Sequence, residues 1–491
     1  MNIFRKPSFA DSTGDAIPLY HDGTYHIFSL TPPKGTTVYP ARLRTSWSHT
    51  ISKDLIHWKE VETALYPGEG NEPDACGVWT GTAIFAEGQY HIFYTGYNYN
   101  IHYSQTICHA YSKDGFHWEK DPKNPVIIPD ESRYEVIDWR DPYVFYNEDD
   151  HCYWILISGR IKEGPPTKRG CINLFRSKDL KQWEFYGPVY KPYITNCPEC
   201  CEMWKKDGKW YLSYSTFSEF VNTCYRISDS PFGPWRTPKK DGIGGRRFYA
   251  AKSLENDEGR RIYFAWAHDR ADQSDYGEWY WGGEFCIPHE IAVNEDHELD
   301  VRIPKEYVGA WREPVHFQTE NVWGNSDITS DDSVKVNSPG TLSYGFFKLS
   351  KQTFFFQTKM KVIDARGTFG IILKSDRDCA QYILLGFELG MQRVSLMNLP
   401  TGVDPFWEAS CTNIGRPKDP GPDGFRVCEN PYHFANEDII DIKIAVDHDM
   451  MEIFIGDKVA FTYRYYGKTD YEIGWYVQDG NIEYNNISIM E

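Results

Sequence analysis

The sequence has 491 residues, more than one hydrophobic core usually serves, so two domains are expected. It carries 70 acidic and 52 basic residues, and the net charge of −18 argues against a nucleic acid or an anionic membrane as partner, because both need a basic footprint. A neutral, polyhydroxylated ligand stays compatible with this charge. Aromatic residues form 16% of the chain, which favours strands and hence an all-β protein, and their flat faces also suit sugar binding.

The first residues, "MNIFRKPSFADSTGD", contain no apolar signal core, and no run of about 18 apolar residues follows anywhere in the chain. Neither an export signal nor a membrane span is therefore predicted. The 12 cysteines do not follow the spacing of a small disulfide framework. We expect free thiols and a cytoplasmic protein.

Two patterns recur in the first 305 residues. Five segments read as strand, polar turn and strand, for example "FAEGQYHIFYTGY" and "WKKDGKWYLSYST". A Ser–Asp turn followed by a tryptophan recurs roughly every 50–65 residues, as in "SKDLIHW" and "SKDGFHW"; the tryptophans are Trp58, Trp118, Trp183 and Trp235. Together the patterns predict a five-bladed β-propeller over residues 1–305.

The pattern changes after residue 305. Residues 306–340 are turn-rich and lack a clear period, so they are interpreted as a linker. Residues 341–491 again contain short alternating strands, such as "TFFFQTKMKVID" and "MEIFIGD", which predict a β-sandwich. Within them, the Pro- and Gly-rich stretch 400–436 is expected to form a long surface loop.

Three carboxylates stand near the expected starts of inner propeller strands, where propellers build their sites. They are Asp15 in "STGDAIPLYHDG", Asp141 in "VIDWRDPYVFY" and Glu199 in "NCPECCEMW". An ordinary turn is the better explanation of Asp15 when it is considered alone, and a structural turn is as good an interpretation of Asp141 as a catalytic role. Glycoside cleavage needs a carboxylic acid to protonate the leaving oxygen and a carboxylate to attack or to activate water.

The cysteines around Glu199 allow a second interpretation. Cys197 and Cys200 have the C-x-x-C spacing of some zinc and redox sites. A structural zinc needs four ligands, however, and no second C-x-x-C or nearby histidine pair is present. Packing thiols beside a carboxylate are therefore favoured, and their apolar surroundings would raise the pKa of Glu199, as a general acid requires. No metal or organic cofactor is predicted.

With these motifs the sequence resembles glycoside hydrolase family 32, the β-fructofuranosidases (invertase, levanase and inulinase). "TSWSHTISKDLIHW", "GVWTGTAIF", "WRDPYVFY", "ECCEMW", "RRFYAAKS" and "WYWGGEF" are similar to segments of that family, and "AVDHDMMEIFIGD" is similar to a segment of its sandwich. The resemblance covers most of the chain. It implies a five-bladed propeller followed by a β-sandwich.

The resemblance also implies roles for the carboxylates. Asp15 would be the nucleophile, Asp141 the stabiliser of the transition state, and Glu199 the acid/base. Asp11 is a rival for the nucleophile and Glu202 for the acid/base. Four further residues would line the sugar pocket, although each has an alternative as a core aromatic or a structural ion pair: Trp47, Trp79, Arg140 and Trp281.

The sequence differs from the family at positions that form the fructose-binding subsite. The family's W-M-N-D-P-N-G opening is replaced by "ADSTGDAIPLYHDG", which is similar to the G-D-x-x-P-F-Y-H-D-G opening of related bacterial sequences. Arg247 stands where the family has an acidic residue before F-Y-A, and Phe28, Ser29 and Leu30 replace F-Y-Q. Glycosidase chemistry therefore follows from the sequence more directly than fructose specificity does.

The expected activity is hydrolysis of a β-fructofuranoside with retention, through a glycosyl-enzyme ester on Asp15. The alternatives are an inverting arabinan- or xylan-type furanosidase and a non-catalytic carbohydrate-binding protein. Fructosyl transfer is also compatible with the expected mechanism, because a sugar can attack the same ester in place of water. The expected partner is a small carbohydrate, with no nucleic acid and no membrane, and a homodimer through the sandwich is left open.

Overall fold

The chain folds almost entirely into strands and separates into two compact units in this computed structural model. The structure describes residues 3–218, 221–330, 332–401, 423–467 and 469–491. The propeller unit extends to Asp269 and includes Tyr280–Tyr307. The sandwich unit consists of Arg270–Trp279 and Val308–Glu491. No described helix has the length and apolar character that a membrane span needs.

The described residues of the propeller unit form five antiparallel sheets, which are the five predicted blades. Blade I contains β1 (Ala16–His21), β2 (Thr24–Thr31), β3 (Ser46–Ser52) and β4 (Trp58–Glu60); blade II contains β5 (Gly77–Ala86), β6 (Gln89–Tyr97), β7 (Gln105–Ser112) and β8 (Glu119–Lys120). Blade III contains β9 (Tyr134–Asn147), β10 (Cys152–Ile161), β11 (Gly170–Ser177) and β12 (Glu184–Tyr190). Blade IV contains β13 (Glu199–Lys206), β14 (Lys209–Thr216) and β15 (Asn222–Ser228). Blade V contains β16 (Tyr249–Glu255), β17 (Arg261–Arg270), β18 (Trp279–Phe285), β19 (His289–Val293) and β20 (Leu299–Arg302).

The hydrophobic cores of the propeller unit lie between neighbouring blades. Strand β10 shows why, because it is buried along its whole length and its side chains alternate between two faces. Ile155 and Ile157 pack into the core shared with Phe93 of blade II. Trp154 and Leu156 pack into the opposite core, with side chains of blade IV. The inner strands contact one another in the order β1, β5, β9, β13 and β16, and β16 contacts β1, so the ring is closed.

The repeated Ser–Asp–Trp motif forms the turn that ends the third strand of a blade. The carboxylate of Asp114 accepts the backbone N–H groups of Phe116 and His117, each at 2.9 Å. Asp54 and Asp179 make the same pair of bonds in blades I and III. Because a short acidic side chain can satisfy these two donors locally, the motif recurs wherever a blade needs this turn.

The sandwich unit is one large sheet that forms two layers. Its two longest strands, Ser333–Lys348 and Tyr471–Met490, run through both layers. Its elements are α1 (Lys305–Ala310), which begins in the propeller unit, and β21 (Gln318–Trp323), β22 (Ser326–Ser330), β23 (Ser333–Lys348), β24 (Thr353–Ala365), β25 (Thr368–Ser375), β26 (Tyr382–Glu388), β27 (Arg393–Leu399), β28 (Arg426–Pro431), β29 (Ile439–Asp447), β30 (Met450–Ile455), β31 (Val459–Arg464) and β32 (Tyr471–Met490). The first part of β32 pairs with β25 and its last part with β24, while β23 pairs along both parts. Buried side chains from both layers meet in one core around Trp475.

The region interpreted as a linker, 306–340, contains β21, β22 and the start of β23. These strands escaped the sequence pattern because β21 and β22 are mostly exposed and read "QTENVW" and "SDITS", with no regular apolar alternation. In the stretch 400–436, expected to be a long loop, Arg426–Pro431 forms β28. Residues 402–422 of that stretch lie outside the described residues.

Candidate active site

A cavity of about 290 Å³ lies at the ends of the inner strands of the propeller unit, near the lower end of the ~300–1,000 Å³ of ordinary small-molecule sites. All five blades contribute to its wall. The lining residues are Asp15, Leu30, Leu43, Thr45, Trp79, Thr80, Gln105, Asp138, Arg140, Asp141, Glu199, Cys200, Tyr249, Ala250 and Trp281. The three carboxylates singled out from the sequence are thus brought together from blades I, III and IV.

Irregularities in the inner strands point these side chains into the cavity. The pairing register shifts beside Thr80 on β5, between Glu199 and Glu202 on β13, and after Tyr249 on β16. The backbone is left-handed at Asp141, with φ of 58°, and at Cys200, with φ of 50°. A bulge lets consecutive residues of a strand face the same side, and bulges are frequent next to active sites. This geometry explains how two adjacent residues of β9, Arg140 and Asp141, both reach the cavity.

Asp15 is buried and held from two other blades. The hydroxyl of Thr80 donates to Oδ2, and the indole N–H of Trp266 donates to Oδ1 at 2.7 Å. Burial raises the pKa of Asp15, and the two donors oppose that rise. The preceding Gly14 is required by close packing, because a Cβ there would lie 2.5 Å from Cη2 of Trp281.

Asp141 is fixed through both its backbone and its side chain. Its N–H donates to Oγ1 of Thr95 at 2.8 Å, and its Oδ2 accepts the N–H of Cys200 at 2.8 Å. Nε of Arg140 lies 3.9 Å from the same Oδ2. Burial raises the pKa of Asp141, while the positive charge of Arg140 opposes the rise.

Arg140 links the carboxylates of the cavity. Its guanidinium donates to Oε1 of Glu199 at 3.0 Å, to Oε1 of Gln105 at 3.3 Å, and to Oδ1 of Asp138. The side chain is buried, so these bonds act at low local dielectric and hold the group firmly. Arg140 therefore offsets part of the negative charge that surrounds it.

Glu199 is partly exposed, with 23% of its side chain accessible, and accepts from two strong donors. Oε1 accepts from Arg140, and Oε2 accepts the hydroxyl of Tyr249. Burial raises the pKa of Glu199, Arg140 opposes the rise, and the charge of Asp141 reinforces it. A carboxyl that keeps its proton above the usual range is what a general acid needs near neutrality.

The structure places both rival carboxylates away from the cavity. Glu202 is buried on β13 and accepts the N–H of Ser253 at 2.8 Å and its hydroxyl at 2.8 Å, so it joins blades IV and V. Asp11 is exposed and accepts the N–H of Gly35 at 2.7 Å. Neither residue lines the cavity.

The four predicted pocket residues divide into two groups. Trp79, Trp281 and Arg140 line the cavity, and the ring of Trp79 stacks on Tyr97 with centroids 3.9 Å apart. Trp47 does not line it: the side chain is 0% exposed, packs in the core between blades I and II, and donates its indole N–H to the carbonyl of Trp79. Trp47 was expected to line the sugar pocket, but it supports Trp79 instead. Its position on β3 directs the ring into the core between blades I and II.

The cysteines beside Glu199 are packing groups in this geometry. Sγ of Cys200 lies 3.7 Å from Oδ2 of Asp15, and Sγ of Cys201 lies 3.9 Å from the carbonyl oxygen of Asp141. Burial raises the pKa of Cys200 and Cys201, so both stay neutral thiols at ordinary pH. They add bulk around the carboxylates without adding charge.

Five residues of the site were not found by sequence reasoning. Thr80 and Tyr249 lie within the segments "GVWTGT" and "RRFYAA", where a hydroxyl beside a conspicuous Trp or Phe was a usable signal. Gln105, Asp138 and Trp266 gave no such signal. Gln105 and Trp266 contact residues of other blades, and Asp138 contacts Arg140 of its own strand and Arg160 of β10.

Comparison with known proteins identifies the family. Residues 15–302 match the model of the glycosyl hydrolases family 32 N-terminal domain, and residues 318–491 match that of the family 32 C terminal domain. A cell-wall β-fructofuranosidase of Pisum sativum is 23% identical over 91% of this chain and 85% of that protein. The chain belongs to glycosyl hydrolase family 32 and is a glycosidase.

Solved structures show the same fold. Fructan 1-exohydrolase IIa of Cichorium intybus superposes with a TM-score of 0.73 at 18% identity, covering 100% of this chain and 97% of the other. Sucrose-6-phosphate hydrolase of Lactobacillus gasseri superposes with a TM-score of 0.72 at 17% identity, covering 98% and 91%. The predicted five-bladed propeller followed by a β-sandwich is confirmed.

Replacing each of the two neighbouring glutamates separates catalysis from packing. We expect Glu199→Gln to lower kcat by about 10²–10⁴-fold, because the proton donor is lost while its size is kept. Glu202→Gln should lower the melting temperature and leave the rate of the folded protein within a few fold. Initial rates of glycoside hydrolysis and thermal unfolding measure both; an inactive, folded Glu202→Gln protein beside an active Glu199→Gln protein would reverse the assignment.

The raised pKa of Asp15 has a consequence for stability. A carboxyl whose folded pKa lies above its unfolded value stabilises the fold most at low pH, and this stabilisation is lost as pH rises through the folded pKa. Asp15→Asn, which carries no charge to desolvate, should therefore raise the melting temperature at pH 7, with a smaller gain at pH 4.

Asp179→Asn is the matched control, because hydrogen bonds from the backbone N–H of Gln182 lower the pKa of Asp179. Its stabilisation is present above the unfolded pKa and lost as pH falls, so the substitution should lower the melting temperature at pH 7 and matter less in acid. Equal responses of the two variants at both pH values contradict the account.

Proposed function

We propose that the protein hydrolyses β-fructofuranosides with retention of configuration. The observation that carries this proposal is the convergence of three carboxyl groups from three blades onto one cavity, the buried Asp15 and Asp141 and the partly exposed Glu199. Family membership supports the glycosidic reaction, and the curated relatives include β-fructofuranosidases, a levanase and fructan exohydrolases. The inverting arabinan- or xylan-type furanosidase and the non-catalytic binding protein are not favoured by these matches.

In the first step Glu199 gives its proton to the glycosidic oxygen as the bond from that oxygen to the anomeric carbon breaks. A carboxylate oxygen of Asp15 forms a new bond to the same carbon, which gives an ester and releases the leaving alcohol. The raised pKa of Glu199 keeps the proton available, and the donors on Asp15 keep the nucleophile ionised.

In the second step the ionised Glu199 takes a proton from water as the water oxygen attacks the anomeric carbon. The ester bond breaks, Asp15 leaves as a carboxylate, and the sugar departs with its original configuration. Asp141, held by the backbone N–H of Cys200, offers an anionic oxygen to the positive charge and the ring hydroxyls of the transition state. A sugar hydroxyl in place of water would give fructosyl transfer through the same ester.

The charge of the cavity favours an uncharged sugar over a phosphorylated one. Four carboxylates line it, on Asp15, Asp138, Asp141 and Glu199, against the single guanidinium of Arg140. That guanidinium already donates to Glu199 and Asp138. A phosphate monoester, which carries about −1.5 to −2 charges at pH 7, would enter against this negative field.

We also propose that the protein works in the cytoplasm. Buried cysteines such as Cys171, Cys197, Cys200 and Cys201 are free thiols, which suits a reducing compartment. Separate assay of the cytoplasmic and extracellular fractions of the native source for this activity tests the location, and activity confined to the medium would contradict it.

A small substrate panel tests the activity. We expect release of fructose from sucrose and from short inulin- or levan-type oligosaccharides, and no release of arabinose from aryl arabinofuranosides. Asp15→Ala should lower kcat/KM by at least about 10³-fold, because the nucleophile is lost. Glu199→Gln should still form the ester from β-fructosyl fluoride, whose leaving group needs no proton, and should therefore release a burst of fluoride followed by slow turnover, whereas Asp15→Ala should give no burst.

Fructose release that survives Asp15→Ala would show that another group is the nucleophile, with Asp141, which also lines the cavity, the first to examine. Arabinose release without fructose release would overturn the proposed substrate while leaving the fold and the acid in place.

Sucrose and sucrose 6-phosphate separate neutral from charged substrates. We expect kcat/KM for sucrose 6-phosphate to be at least about 10-fold lower, because the dianion is repelled by the carboxylates. Raising the salt concentration should narrow the difference, since screening weakens that repulsion. An equal or higher value for the phosphorylated sugar at low salt contradicts the proposal.

A further inference from the structure

Trp266 contacts the nucleophile without lining the cavity. It lies on β17, directly opposite Tyr249 of β16, and its side chain is 0% exposed. Its Nε1–H donates to Oδ1 of Asp15 at 2.7 Å. Since the cavity wall of described residues does not include Trp266, this side chain acts on the reaction indirectly, and its hydrogen bond to Asp15 is its polar contact with a reacting group.

Asp15 accepts from Thr80, from Trp266 and, more weakly, from the thiol of Cys200, whose Sγ lies 3.7 Å from Oδ2. Thr80 and Trp266 differ in the protonation state of Asp15 that they permit. The hydroxyl of Thr80 can rotate and either donate or accept, so it tolerates a proton on Asp15. An indole N–H is a donor only, and a proton placed on Oδ1 would meet it head-on. The indole of Trp266 therefore favours the ionised carboxylate and marks Oδ1 as an oxygen without a proton.

The ring of Trp266 is locked in place by three aromatic neighbours. Its centroid lies 4.3 Å from His268, 5.6 Å from Trp281 and 6.0 Å from Tyr249, and the Tyr249 contact is edge-on. Burial lowers the pKa of His268 to about 3, so this neighbour adds no charge beside Asp15 at working pH. A donor fixed this way needs no reorganisation when the reaction begins.

We propose that Trp266 is a positioning residue of the hydrolysis, which holds Asp15 ionised and aims its carboxylate at the substrate. The proposal rests on the role of Asp15 as nucleophile given above. The need for such a donor follows from the charges that face Asp15. The groups around it are the carboxyls of Glu199 and Asp141, the thiol of Cys200 and the hydroxyl of Tyr249.

The test is Trp266→Phe, which removes the N–H and keeps an aromatic ring. We expect kcat for sucrose to fall about 10–100-fold, as for loss of a hydrogen bond to a charged group, with KM within about 3-fold. The acid limb of the pH profile of kcat/KM should move to higher pH, because Asp15 without the donor takes up a proton more readily.

Trp154→Phe is the matched control. Trp154 is also buried and donates its indole N–H to a carboxylate, Oδ2 of Asp150 at 2.8 Å, but it lies in blade III away from the cavity. This variant should lose stability and keep the wild-type pH profile. Should Trp266→Phe fail to fold, site-specific replacement of Trp266 by benzothienylalanine, which has sulfur in place of the N–H in a ring of similar shape, makes the same test.

Two outcomes overturn different claims. If Asp15→Ala is inactive but Trp266→Phe keeps the wild-type kcat and acid limb, the role of Trp266 is wrong and the proposed function stands. If Asp15→Ala is active, the proposed function itself fails. A shift of the acid limb in Trp266→Phe, absent in Trp154→Phe, supports the inference.

Discussion

Electrostatic repulsion among Asp15, Asp141 and Glu199, which line one cavity, is the interaction that the surrounding structure has to offset. Burial alone raises the pKa of each carboxyl. The propeller places hydrogen-bond donors beside every one of these carboxylates. Asp15 accepts from Trp266 and Thr80, and Asp141 accepts from a backbone N–H. Glu199 accepts from Arg140 and Tyr249. All of these donors favour the ionised carboxylates, so each offsets part of the rise in pKa that burial causes.

The closed ring makes this arrangement available. Each blade supplies only part of the cavity lining, so no single strand could supply the set. The inner strands meet because the cores lie between blades, as the alternation of Ile155 and Leu156 to opposite cores shows. Local bulges then turn the last side chains inward at the cost of regular pairing. The cores between blades therefore stabilise the propeller, and the irregular ends of the inner strands position the catalytic side chains.

The sequence predicted most of the architecture, because strand alternation and the Ser–Asp–Trp turn are local signals. The carboxylates Asp15, Asp141 and Glu199 were predicted from local motifs, and the structure brings them to one cavity. The direction in which a strand residue points was harder to predict. Trp47 packs in a core and Glu202 binds Ser253 of the next blade, and both roles depend on which face of the strand the residue occupies. Trp266 could not be predicted, because its partner is about half the chain away. The polar strands β21 and β22 were missed for a different reason, since their exposure removes the apolar period.

The mechanism requires that Asp15 forms a covalent bond to the sugar, while Glu199 acts as acid in the first step and as base in the second. The most direct measurement is to trap that intermediate: Glu199→Gln is mixed with β-fructosyl fluoride, quenched in acid, digested and analysed by mass spectrometry. The account predicts a peptide containing Asp15 that carries one fructosyl group, with the label absent when Asp15→Ala is added to the same protein. A fructosyl group on a different carboxylate, or turnover to an inverted product with no labelled peptide, would contradict it.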